Sequence, residues 1–151
     1  MLIRTVLVVG MIAGGFSATA VAQQDVIRAR KDLMESVAKA FYLTLNRTQR
    51  GQVPYDQNAI DGAVASIAKD IPNLAKLVPP ESKPTKPASD YDASPKIWQN
   101  KADFDAKLAN MIKVLDENKG KAKDVASLKV VVQNIDKACD ACHEDYRVKT
   151  R

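Results

Sequence analysis

Ala138-Cys139-Asp140-Ala141-Cys142-His143-Glu144-Asp145-Tyr146-Arg147, close to the end of a 151-residue chain, contains both of its cysteines and its one histidine. On a helix, positions i, i+3 and i+4 share a face, so Cys139, Cys142 and His143 can point the same way. Structural zinc normally takes four ligands, and the chain has no further Cys or His to supply them. A thioredoxin-like C-x-x-C sits in a βαβ setting, whereas the surrounding apolar period is helical. A disulfide inside one helical turn would be strained, because the bridge demands its own side-chain geometry. What remains is the C-x-x-C-H pattern of covalent haem c attachment. Cys139 and Cys142 then supply thioether sulfurs, and His143 supplies an imidazole to the iron. With no second histidine, the far side of the iron must take a different residue or none.

Upstream of this motif, Val125, Leu128, Val131, Val132, Ile135 and Ala138 continue to Cys142 and Tyr146 as one apolar stripe. It predicts a helix from about Asp124 to Tyr146. Three more amphipathic stretches precede it. Ser94-Pro95, a cap followed by a proline at the first helical position, opens a helix that carries Ile97, Trp98, Phe104, Leu108, Met111, Ile112 and Leu115 and stops at Gly120. Another runs from Asp56 to about Leu77, with Pro72 predicting a break near Asp70 and Ile71. The first spans residues 25 to about 47, with Val26, Ile27, Leu33, Met34, Val37, Phe41, Tyr42 and Leu45 at three- and four-residue steps. Residues 79–91, rich in Pro, Ser, Lys and Asp, predict a surface loop without strands.

Four amphipathic helices with few glycines outside the connections predict an all-α, antiparallel four-helix bundle, with haem c near the C-terminal end of its fourth helix. In such a bundle the N-terminal part of helix one lies beside that end. Met34 is there, and a methionine thioether is a soft ligand suited to haem iron. Judged by itself, a methionine on an apolar face is more often core filling. Met111, on helix three, is a second candidate of that kind.

The N-terminus carries an export signature. Arg4 gives a positive start, Thr5 to Gly15 is apolar and small, and Ala20-Val21-Ala22 is a cleavage site. Residues 1–22 are thus expected to be a secretory signal peptide cut after Ala22, leaving residues 23–151 as one domain with no membrane span. Removing 22 of 151 residues leaves 129, and loss of Arg4 lowers the net charge from +5 to +4. The basic residues are interleaved with acids, which argues against a nucleic-acid surface.

The order Arg30-x-x-Leu33-Met34, Pro54-Tyr55-Asp56, Ser94-Pro95-Lys96-Ile97-Trp98 and Cys139-x-x-Cys142-His143-x-x-Tyr146-Arg147 resembles the class II cytochromes c, the cytochrome c′ family, and most closely their low-spin branch. The resemblance covers essentially the whole mature chain. It implies a periplasmic electron carrier with His143 and Met34 as axial ligands. It also implies that Arg30 meets a haem propionate, that Arg147 lies beside the proximal imidazole, and that two copies can associate through helices one and two. The partners expected are periplasmic redox proteins. No nucleophile and base pair is visible, so no enzyme is expected. Two other readings stay open at this stage: a five-coordinate family member taking NO or CO at an open distal site, and a haem-free helical interaction module.

Overall fold

The computed structural model describes residues 16–84 and 91–150. Its order is α1 (Phe16–Lys39), a π segment (Ala40–Asn46) and α2 (Arg47–Gln49), then α3 (Gln57–Asp70) with a 3₁₀ continuation (Ile71–Leu77). A 3₁₀ turn (Pro80–Ser82), β1 (Tyr91–Ala93), α4 (Lys96–Gln99), α5 (Lys101–Asn118), α6 (Val125–Tyr146) and β2 (Arg147–Lys149) follow. These make four rods: α1 through α2, α3 with its continuation, α4 with α5, and α6. Most of the signal peptide expected at residues 1–22 lies outside the described residues. Among the described residues no helix is long and apolar enough to cross a membrane.

Local chemistry sets most rod ends. Asp56 caps α3 by accepting from the Ala59 N–H at 3.0 Å. Asp124 caps α6 in a reciprocal box with Ser127, each side chain accepting from the other's backbone N–H. At Pro72, which cannot donate to the ladder, α3 tightens into 3₁₀ geometry from Ile71 onward. Gly51 and Gly120, at φ +70° and +68°, make the left-handed turns after the first and third rods.

The rods enclose one core. Leu45, Ile60, Ile67, Phe104, Leu115, Leu128 and Ile135 are fully buried. At the turn end, Tyr55 and Gln57 both donate to the Ala122 carbonyl, tying the start of α3 to the turn before α6. Buried Asn118 donates to the Val114 carbonyl and accepts from Asn134, joining α5 to α6.

Four expectations need correction. The first rod is not uniformly α-helical, because Ala40–Asn46 widens into π geometry. Tyr42, expected on its apolar face, is 56% exposed as a result of where that widened turn places it. The third rod is broken at Asn100, whose backbone (φ −134°, ψ 62°) leaves the helical region. Its N–H still bonds the Lys96 carbonyl and its carbonyl takes the Phe104 N–H, so both short ends stay satisfied. The chain also has a two-stranded antiparallel ribbon, with Asp92 opposite Val148 and Ala93 opposite Arg147. Three residues per strand are too few to show alternation in a sequence. Finally, the segment after Pro79 is not wholly a surface loop. Ser82 is completely buried and donates to the Pro79 carbonyl at 2.8 Å.

Candidate haem site

The first rod and α6 meet closely at the π segment, and toward the N-terminus of the rod they separate around a cavity of about 350 Å³. Met34, Cys139, Cys142, His143, Arg30 and Arg147 all line it. Six residues singled out across nearly 120 positions of sequence are therefore brought to one place. Met111 is buried on α5 and does not line it.

The walls explain the cavity's chemistry. Phe41, Leu74, Val78, Ile97 and Phe104 are buried and apolar, and they come from three rods and the segment that follows the second. Met34, Cys139, Cys142 and His143 are half-buried. Phe104 packs edge-on against Tyr146 with ring centroids 5.3 Å apart. The rim is charged on both sides: Lys31 and Glu35 on α1, Asp136 and Asp140 on α6.

Electrostatics separate the possible uses of the motif. Burial, reinforced by Asp136 and Asp140, pushes the Cys139 thiol up to about 12. Burial also raises the Cys142 thiol. Thiol exchange needs a thiolate made accessible by a lowered pKa, so these cysteines have the wrong character for a disulfide oxidoreductase. Burial, and then the Arg147 cation, hold the His143 imidazole below its ordinary pKa. It is therefore neutral at physiological pH, with a ring nitrogen free to ligate. Among the described residues no group of three His, Cys, Asp or Glu side chains is placed to hold a metal ion directly. The donor set across the cavity, two sulfurs, an imidazole and a thioether on apolar walls, fits a haem with soft axial ligands.

Arg30 is buried, and the protein already engages several of its donors. Its guanidinium donates to the Leu77 carbonyl at 2.9 Å and to the Ser82 hydroxyl at 3.3 Å. It also donates to the Ser82 carbonyl at 3.5 Å and lies 3.9 Å from the Asp92 carboxylate. The Trp98 ring covers it at 5.7 Å. Trp98 in turn donates from its indole nitrogen to the Pro79 carbonyl at 3.0 Å. Arg30 thus latches the segment after the second rod against α1. Arg147 is exposed, starts β2 and lies over the Tyr91 ring at 5.0 Å.

Sequence reasoning passed over Lys107 on α5. Its ammonium donates to the Ala141 carbonyl at 2.9 Å, inside the C-x-x-C-H stretch, and is paired with Asp145. Asp103 lies 4.0 Å away on the other side. Tyr146 donates to Asp103 at 2.6 Å, and its phenol is pushed up to about 12 by burial and then by that carboxylate. The only signal in the sequence was an acid and a base four apart on α5, beside the buried Phe104.

The family model described as Cytochrome C' matches residues 25–147. Cytochrome c-555 of Bradyrhizobium diazoefficiens is 40% identical over 148 residues, covering 98% of this chain and 99% of that one. Cytochrome c-556 of Rhodopseudomonas palustris is 41% identical over 149 residues, covering 98% and 99%. The solved structure described as an NMR-validated model for oxidized R. palustris cytochrome c556 superposes with a TM-score of 0.76 at 39% identity, over 85% of this chain and 99% of that one.

Proposed function

The chain belongs to the cytochrome c′ family of haem c electron carriers, and from that membership we propose a periplasmic electron-transfer protein with His/Met-ligated iron. Haem c, when bound, supplies an iron that changes between ferrous and ferric. Cys139 and Cys142 would hold it through thioethers. His143 would be the proximal ligand and Met34 the distal one. The observation that carries this reading is the single cavity shared by Met34 on α1 and by Cys139, Cys142 and His143 on α6.

The remaining residues have supporting parts. The apolar walls would keep water from the iron, which would favour small reorganisation on electron transfer. A guanidinium has five N–H donors, so Arg30 can keep its loop contacts and still offer a donor to a propionate. Arg147 would keep the proximal imidazole neutral. Met/His ligation raises the reduction potential. Cleavage after Ala22 and export complete the reading. A homodimer through the first two rods belongs to it as well, with the exposed Tyr42 and Leu43 on the first rod available to meet a second copy.

The test is the optical spectrum of the purified holoprotein, oxidised and reduced, before and after CO. His/Met ligation gives a low-spin reduced spectrum that CO leaves alone, and the Met34→Ala variant becomes high-spin and takes up CO. A parent that is already high-spin and CO-reactive would replace this reading with an open, gas-binding site.

A further inference from the structure

We propose that Lys107 is a positioning residue for the proximal ligand, clamping the haem-bearing end of α6 onto α5 and biasing the iron toward its reduced form. The inference rests on His143 being that ligand.

A helix ends with four carbonyls that lack intrahelical partners, and the end of α6 carries the whole attachment motif. Two of its terminal carbonyls have backbone partners: His143 O takes the Arg147 N–H, and Tyr146 O takes the Ser94 N–H at 2.9 Å. Lys107 adds a third hold from another rod. It bonds the Ala141 carbonyl and the Asp145 carboxylate, two residues before and two residues after His143. One ammonium therefore brackets the ligand on both sides. Movement of the last turn, which would change the tilt of the imidazole, would have to break both contacts.

The placement is electrostatically consistent. A cation at a helix C-terminus complements the helix dipole. Lys107 also lies 5.7 Å from the centre of the Tyr146 ring, whose hydroxyl is bonded to Asp103. With a side chain only 27% exposed, Lys107 is less screened than a free surface lysine. Ferric iron carries one more positive charge than ferrous, so a cation held on the attachment motif at Ala141 would disfavour the oxidised state. Removing that cation would also leave Asp103 without its ion pair and Asp145 with Lys96 alone, which adds to the effect.

The experiment compares K107M, K107R and K113M holoproteins by redox titration and by the ferric electron paramagnetic resonance spectrum. Lys113, on the same helix, is exposed and paired with Glu117, and serves as the charge control. K107M is expected to shift the ferric–ferrous equilibrium on the order of tenfold toward ferric, 59 mV for one electron, and to alter the axial signature. K107R should recover most of both, and K113M should match the parent. Should K107M fold poorly, D145N removes the clamp's anion and keeps the cation. It should disturb the axial signature while moving the potential upward. Parent-like potential and spectrum in K107M, or an equal shift in K113M, would overturn the inference. A His143→Ala variant that kept the parent's axial signature would instead overturn the ligand assignment beneath it.

Discussion

The two ends of this bundle are built from the same helices and differ in how completely they are filled. At the end holding the Gly51 and Gly120 turns, Leu45, Ile60, Leu115 and Leu128 are at most 1% exposed. At the other end Met34, Cys139 and Cys142 are soft side chains left half-buried around a cavity. α6 passes without a break from one environment to the other, so its apolar stripe serves as core at its start and as a cavity wall at its end. The filled end is sealed by side chains alone, and the open end is shaped for a cofactor to finish. Stability and redox chemistry should therefore respond to different substitutions.

The largest effect tests the open end. Replacing Cys139 and Cys142 together by serine should remove all haem from the denatured chain, read by haem staining of a denaturing gel. Any stain surviving on the double variant would assign attachment elsewhere. At the filled end, Leu128→Ala should cost about 2–5 kcal/mol in denaturant unfolding, as a fully buried leucine does, with an unchanged optical spectrum. A spectral change in that variant would mean that the two ends are coupled. Arg30→Met should cost about 1–3 kcal/mol by stranding acceptors at half-buried Leu77 and buried Ser82, and it should speed proteolysis between residues 78 and 94. Equal proteolysis in parent and variant would deny Arg30 its latching role.

The smallest effect lies at the cap of α6. The backbone N–H of Ser127, and then its side chain, hold the Asp124 carboxyl below its usual pKa. A group depressed in the folded state contributes stability that is present above the unfolded pKa and is lost as pH falls through the folded one. Asn caps about as well as Asp. Asp124→Asn should thus leave the melting temperature near neutral pH almost unchanged and flatten its decline below the ordinary carboxylate range. An undiminished decline would put the acid sensitivity in other carboxylates.

Features that depend on neighbouring residues could be read from the sequence, and those that depend on distant contacts could not. The helix starts at Asp56 and Asp124, the change at Pro72 and the stop at Gly120 each need only a few adjacent residues, and all were foreseen. The break at Asn100 was not, because the apolar period from Ile97 to Phe104 continues across it. The ribbon was missed because its strands are 54 residues apart in sequence at their closest pair and three residues long. In the site, spacing was enough to single out Cys139, Cys142 and His143, and bundle geometry brought Met34 to the same cavity. The bonds from Arg30 to Ser82 and from Lys107 to Ala141 span 52 and 34 residues, and no local pattern marks them.

The π segment has a consequence for length changes in this chain. A π turn holds one residue more than the α ladder it interrupts, and one residue corresponds to about 100° of rotation about a helix axis. Deleting a single residue between Ala40 and Asn46 would let the rod close up as plain α-helix with little loss of hydrogen bonding. Because the wide turn absorbs its extra residue locally, the segments before and after it would then keep nearly the rotational phase they have now. With Leu45 and Thr48 anchored in the core, Met34 and Arg30 would stay turned toward the cavity. Adding one residue there, with no further widening to absorb it, would instead rotate them by about 100°. The angle between residue 34 and residue 45, more than the number of residues between them, is what the wide turn preserves, and relatives sharing this site should tolerate insertions in the turns far better than in this half of the first rod.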